Sequence, residues 1–135
     1  NLILTARKVN DSMPSHVLKR IRDIMREHKI HDVSKVGLYG LTYKENVDDT
    51  RESPTLQLLK RMDEHLAFGV KVFDPFVKER IVDHQFMNFE DFLNEIEILV
   101  IMVAHNHIKD NMDLVKNKII FDTKNICGFD GVYKL

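Results

Sequence analysis

The stretch Lys35 to Leu59, KVGLYGLTYKENVDDTRESPTLQLL, constrains the fold most tightly. It opens with a short apolar run, Val36-Gly37-Leu38-Tyr39. A run with no polar alternation predicts a strand buried on both faces, which is the habit of parallel sheets. Gly40 then leads into a polar loop holding Lys44, Asp48, Asp49 and Arg51, and Ser53-Pro54 marks a helix start. Strand, charged loop and helix N-terminus in that order make a place to hold an anion, because the first turn's N–H groups and the helix dipole favour negative charge. Lys44 and Arg51 add full positive charges, and arginine can grip a phosphate through two parallel bonds. The loop is read as facing a phosphorylated ligand.

The remaining elements follow from spacing. Asn1 to Asn10 has helical composition, and Asp11-Ser12-Met13-Pro14 interrupts it, so Pro14 should begin or kink a helix. From Ser15 to His28 the apolar residues Val17, Leu18, Ile21, Ile24 and Met25 fall at helical spacing. The helix after Ser53 carries Leu56, Leu58, Leu59, Met62 and Leu66, with Gly69 as its stop. Val70 to Phe73 is a strand closing on Asp74-Pro75. Short helices are expected over Val77 to Val82, Phe89 to Asn94 and Met112 to Val115. Glu97 to Val103, EILVIMV, is the most apolar run and should be a central strand. Lys118 to Phe121 is another strand, and Gly128 to Leu135 adds a small last one. This order argues for an α/β fold, an open doubly wound, Rossmann-like parallel sheet with helices on both faces. Ligands of such sheets sit beyond the carboxyl ends of the strands. The search therefore narrows to Tyr39–Arg51, Asp74–Pro75, Ala104–His107 and Asp122–Asn125.

Composition sets the class. With 135 residues, 44% apolar and 30% charged, the chain can bury a proper core, and a net charge of -1 points to neither nucleic acid nor a membrane surface. No apolar run approaches the roughly 20 residues that span a bilayer. A single cysteine, Cys127, excludes internal disulfides and suits a reducing, cytoplasmic setting. The chain opens at Asn1 inside a helical pattern, which reads as a piece of a longer protein.

Each candidate has a plainer alternative. Lys44 reads equally as a solvated loop lysine and Arg51 as a brace for Asp48, Asp49 or Glu52, while a loop lysine such as Lys124 is most often just solvent-exposed. Asp74 stands where dinucleotide folds keep an acid for a ribose, but Asp-Pro is more simply a turn. His105 and His107 lack a third nearby ligand, so no metal is assigned. Cys127 has no motif around it and reads as structural rather than nucleophilic. No G-x-G-x-x-G follows the first strand, so the usual pyrophosphate turn is missing.

Gly40-Leu41-Thr42-Tyr43-Lys44 with Asp48-Asp49-Thr50-Arg51-Glu52-Ser53-Pro54 resembles the signature of the C-terminal domain of the UDP-glucose/GDP-mannose dehydrogenases. The likeness continues through Phe73-Asp74-Pro75 and Phe121-Asp122-Thr123-Lys124-Asn125. Ala6 to Pro14 resembles the end of the family's central dimerisation helix. The Thr-Tyr-Lys and Asp-Thr-Lys-Asn forms look most like bacterial UDP-N-acetyl-D-mannosamine dehydrogenases. The resemblance implies two segments, residues 1–14 from the central helix and 15–135 as the nucleotide-sugar-binding domain. It implies that Tyr43, Lys44 and Lys124 contact a UDP-sugar and that Arg51 reaches the NAD. Lysine at 124, where the family often has arginine, keeps the charge and loses the fork. The intact enzyme would oxidise C6 of a UDP-sugar twice, for surface polysaccharide synthesis, as a homodimer. Its thiol nucleophile and NAD-binding turn would lie upstream of Asn1, so no catalytic residue is assigned here. Two rival readings stand beside this one: a stand-alone nucleotide-binding or regulatory module, and the same domain of a UDP-glucose dehydrogenase.

Overall fold

The structure, a computed structural model, describes the backbone of residues 2–135 and the side chains of residues 13–135. Asn1 lies outside the described residues, as do the side chains that carry the resemblance over Ala6 to Ser12. Helix α1, Leu2–Glu27, runs through Pro14, so of the two expectations for that residue, a helix start or a kink, the start is absent. Proline inside a helix forfeits the bond to the carbonyl four residues earlier. The apolar stripe that follows offsets this: Val17, Leu18, Ile21, Ile24 and Met25 are all buried, as is Pro14 itself.

The sheet holds six strands: β1 Val36–Tyr39, β2 Lys71–Phe73, β3 Gln85–Phe86, β4 Ile98–Ile101, β5 Ile119–Asp122 and β6 Tyr133–Lys134. Every pairing among them is parallel, in the order β3-β2-β1-β4-β5-β6. This is the doubly wound order of dinucleotide folds. The chain winds outward from β1 in both directions, so the crevice between the carboxyl ends of β1 and β4 is where such a fold binds its ligand.

Alternate residues of each central strand serve opposite faces, as the pleat requires. Leu38, Val72, Ile98, Val100 and Phe121 pack with α1 and with Leu58 and Met62 of α2, Pro54–Glu64. Tyr39, Phe73, Leu99, Ile101 and Ile120 pack on the other side with α3, Phe89–Asn94, α4, Asn106–Asp110, and α5, Met112–Val115. Gly37 lets α3 approach β1: a methyl group there would sit 2.6 Å from the Phe92 ring.

Three expectations are corrected. No helix forms over Val77 to Val82. The buried Gln85 amide takes over the backbone there, accepting from Ile81 N (2.8 Å) and Val82 N (3.2 Å) and donating to Glu79 O (2.8 Å). That side chain supplies the bonds a helix would have made. Second, α2 stops at Glu64 rather than at Gly69. Leu66 takes φ 60° and the N–H of Ala67 turns back to Met62 O at 2.8 Å, which closes the helix end and leaves Leu66 in solvent. Third, the short helix α4 follows β4, with His105 at its N-cap position and His107 inside it, where the sequence pattern gave no element.

Candidate functional site

β1 ends at Gly40, and the chain runs without regular structure to Ser53. Gly40 has φ +103°, a left-handed turn that a side chain would strain, and a Cβ there would meet Val103 at 2.6 Å. Its N–H donates to Phe73 O (2.8 Å), and its carbonyl accepts from the Thr55 hydroxyl (2.6 Å). Ser53 caps α2 by accepting from Leu56 N at 3.1 Å, a bond whose loss costs about 1 kcal/mol in typical helices. Pro54 has no N–H and Leu56's is taken, so the first turn of α2 offers an anion less than its sequence promised. The positive side chains of the loop must carry that role.

Tyr43, Lys44, Val47, Asp49, Arg51 and Glu52 line one open hollow of about 440 Å³ on this loop. The structure therefore brings together three of the four residues singled out in the sequence. Lys124 is exposed at the carboxyl end of β5, two strands away on the same edge of the sheet, and does not line the hollow. Tyr43 is 60% exposed. Lys44 is exposed, and its ammonium makes no hydrogen bond or ion pair with any described residue. Arg51 is engaged: Nε and a terminal nitrogen donate to the two oxygens of Asp49 at 3.0 and 2.8 Å. These bonds hold the Asp49 carboxyl down to about 2. The pair stands in water, with the arginine side chain 87% exposed, so solvent screens it despite its two-bond geometry.

Beneath the loop lies a polar pair that the sequence reading left as a turn and an unassigned histidine. Asp74, at the end of β2, and His105, just past β4, are both fully buried, with Nε2 to Oδ2 at 2.9 Å. The same Oδ2 accepts from Leu41 N (2.7 Å), and Oδ1 accepts from Phe76 N (2.8 Å), which is the Asp-Pro turn. On the far side of the ring, Nδ1 accepts from Asn46 N at 2.8 Å. A backbone amide can only donate, so Nδ1 carries no proton and the hydrogen sits on Nε2, facing Asp74. Among the described residues no buried side-chain nitrogen or oxygen lacks a partner. The available signal was topological: β2 and β4 flank β1, so residues ending those strands close on the loop between them.

His107 Nδ1 and the Tyr39 hydroxyl are hydrogen-bonded at 2.9 Å, and burial lowers the proton affinity of His107. Burial, with Asp74 nearby, raises that of Tyr39. Cys127 is buried and its thiol is pushed up to about 11 by desolvation and Asp122, which leaves it inert. Among the described residues no three His, Cys, Asp or Glu side chains gather as a metal site.

The β5 loop is built around Asp122, whose carboxylate accepts from the backbone N–H groups of Lys124 (3.0 Å), Ile126 (2.8 Å) and Cys127 (2.8 Å). Burial pushes this carboxyl up, but those three donors outweigh it and hold it below its ordinary value. Lys134 from β6 reaches the same oxygen at 3.4 Å. Lys124 projects from this frame, and its ammonium has no partner among the described residues.

The residues do not fit a dinucleotide held in the usual way. Gly40 N and Leu41 N, which would have to face a pyrophosphate, are spent on Phe73 O and Asp74. Asp74, at the ribose position of such folds, is buried 3% exposed with both oxygens engaged.

Residues 37–129 match the model of the UDP-glucose/GDP-mannose dehydrogenase family, UDP binding domain. The chain is 39% identical over 133 residues to a UDP-N-acetyl-D-mannosamine dehydrogenase of Methanocaldococcus jannaschii, covering 93% of this chain and 30% of that protein. It is 30% identical over 129 residues to an NDP-N-acetyl-D-galactosaminuronic acid dehydrogenase of Ralstonia solanacearum, again covering 93% and 30%. Its fold superposes on the solved UDP-N-acetyl-mannosamine dehydrogenase of Staphylococcus aureus with a TM-score of 0.75 and 33% identity, covering 98% of this chain and 33% of that one. The chain thus spans about 30% of the length of the curated relatives it matches.

Proposed function

The chain belongs to the UDP-glucose/GDP-mannose dehydrogenase family, and from that premise we propose that it is the UDP-sugar-binding part of an NAD-dependent UDP-sugar 6-dehydrogenase. The observation that carries this reading is the hollow on the β1 loop, lined by Tyr43, Lys44 and Arg51, within the stretch that matches a UDP binding domain. Lys44 supplies an uncommitted cation for a diphosphate oxygen, and Tyr43 an exposed ring and hydroxyl. Lys124 adds a second cation from the β5 loop on the same sheet edge. Arg51 leaves Asp49 to reach the cofactor. NAD, which would supply hydride acceptance, is held mainly by the portion of the protein beyond this chain, since the turn after β1 is committed internally. The substrate is UDP-N-acetyl-D-mannosamine, in keeping with the names of the relatives matched over nearly the whole chain. The protein works in the cytoplasm as a homodimer, with residues 1–14 as the end of the dimerisation helix.

The test is calorimetry of UDP binding to the full-length protein and its Lys44→Ala variant at two salt concentrations. A charge-assisted bond is worth roughly 1.5–3 kcal/mol, so the variant should bind about ten- to a hundredfold more weakly. The wild type should lose more affinity than the variant as salt rises. Equal affinities would return Lys44 to solvent and sink the reading.

A further inference from the structure

Between Leu41 and Glu52 the β1 loop has no helix or strand to hold it, yet it is pinned at two points by side chains from just beyond β2 and β4. Its first residue is held where Leu41 N donates to Asp74. Its tip is held where Asn46 N donates to His105 Nδ1, and the Asn46 side-chain oxygen accepts from Asn106 N at 2.8 Å. Asn46 takes φ 61°, a conformation that asparagine tolerates better than most residues. The two points are joined by the buried bond from His105 Nε2 to Asp74. One relay, Asn46 to His105 to Asp74 with Leu41 bonded to the same carboxylate, therefore brackets Thr42–Glu45. Thr42 tightens the bracket by donating to Lys44 O at 2.7 Å. Tyr43 and Lys44 lie inside it.

We infer that His105 and Asp74 are positioning residues for the nucleotide: buried and out of reach of any ligand, they fix the backbone that presents Tyr43 and Lys44. The inference rests on the reading of this loop as UDP-facing. The relay requires a neutral ring, with Nδ1 accepting and Nε2 donating, so its geometry is specific to histidine. Without it, several loop residues must be ordered at the moment of binding, and ordering even one or two residues' backbone lowers affinity by about tenfold.

The experiment compares full-length wild type, His105→Phe, His105→Asn, His105→Gln and Lys44→Ala for UDP affinity by calorimetry and for amide exchange of residues 41–47 by mass spectrometry. Phenylalanine keeps a ring to pack against Phe76 and Tyr39 and loses both hydrogen bonds. Asparagine places an oxygen near the position of Nδ1 and can keep the Asn46 anchor, whereas glutamine places its amide nearer Nε2 and keeps Asp74 alone. The expected order of affinity is wild type, then Asn, then Gln, with Phe about tenfold or more below wild type and exchanging faster over 41–47. Should the Phe variant fail to fold, the order of Asn over Gln decides. If Lys44→Ala weakens binding while the His105 variants match the wild type, the relay has no positioning role and the UDP-facing loop survives. If Asn and Gln weaken binding equally with unchanged loop exchange, His105 is core packing and the inference is overturned. If Lys44→Ala binds like the wild type, the UDP-facing reading fails first and takes this inference with it.

Discussion

The loops that leave β1 and β5 are each folded around one buried carboxylate, but they obtain it from different places. Asp122 belongs to its own loop and gathers N–H groups two, four and five residues further on. The β1 loop's own acids, Glu45, Asp48, Asp49 and Glu52, are exposed, and its carboxylate arrives from Asp74, 33 residues beyond Leu41. One loop is shaped by short-range bonds that form within a few residues. The other adds to its own short bonds two anchors, at Leu41 and Asn46, that form only once β2, β1 and β4 lie side by side. A loop gathered mainly by its own residues leans less on the rest of the sheet. A loop folded by its neighbours depends on the sheet, and its shape can be changed from a distance.

Removing the local carboxylate should have the largest effect on stability. Asp122→Ala leaves three backbone donors without their acceptor, while Lys134 keeps Asn125 Oδ1 and Cys127 O, and should lower unfolding free energy by about 3 kcal/mol in urea titrations. The pH dependence sharpens this. Asp122 has a folded value below its ordinary 3.8, so its contribution is present above about pH 4 and fades as pH falls through the folded value. The gap between wild type and variant should therefore narrow in acid. A gap that held constant down to pH 2 would show that the loss is one of packing rather than of charge.

Asp74→Asn should act less on stability and more on binding. The amide keeps the volume and one acceptor, but its NH₂ opposes either Phe76 N or the two donors of Leu41 and His105. A stability loss of about 1–3 kcal/mol is expected, with UDP affinity falling beyond what partial unfolding explains. Equal behaviour of the two aspartate variants, in stability and in UDP affinity, would erase the distinction between the loops.

The smallest structural effect is expected at Arg51. Its pair with Asp49 is exposed, so Arg51→Ala should leave the urea midpoint unchanged while raising KM for NAD more than KM for the UDP-sugar in the full-length enzyme. If both constants and stability worsen together, Arg51 is a brace of the β1 loop and not a cofactor contact.

The same contrast explains what could be read from the sequence. Three of the strands were legible because VGLY, ILVI and IIF are apolar without alternation, and only a sheet covered on both faces asks for that. Lys44 and Arg51 were legible as a cluster because they are close in sequence, Tyr43 joined them through the family resemblance, and one hollow contains all three. The Asp74–His105 pair was not, because each residue carries an adequate local explanation and their contact depends on strand order. Residues 77–82 misled for the same reason: their backbone is satisfied by Gln85, whose role becomes visible only once it is buried against that segment. Leu66 fitted an apolar stripe by spacing alone, while the left-handed turn that ejects it depends on the helix end around it.

The central claim is that the β1 loop is the face UDP meets, and amide exchange of the full-length protein with and without UDP tests it most directly. UDP should slow exchange over residues 41–51, with a smaller effect over 123–127, and leave the hollow formed by residues 67–70 and 80–84 unchanged. Protection confined to that second hollow, with residues 41–51 exchanging as before, would contradict the account.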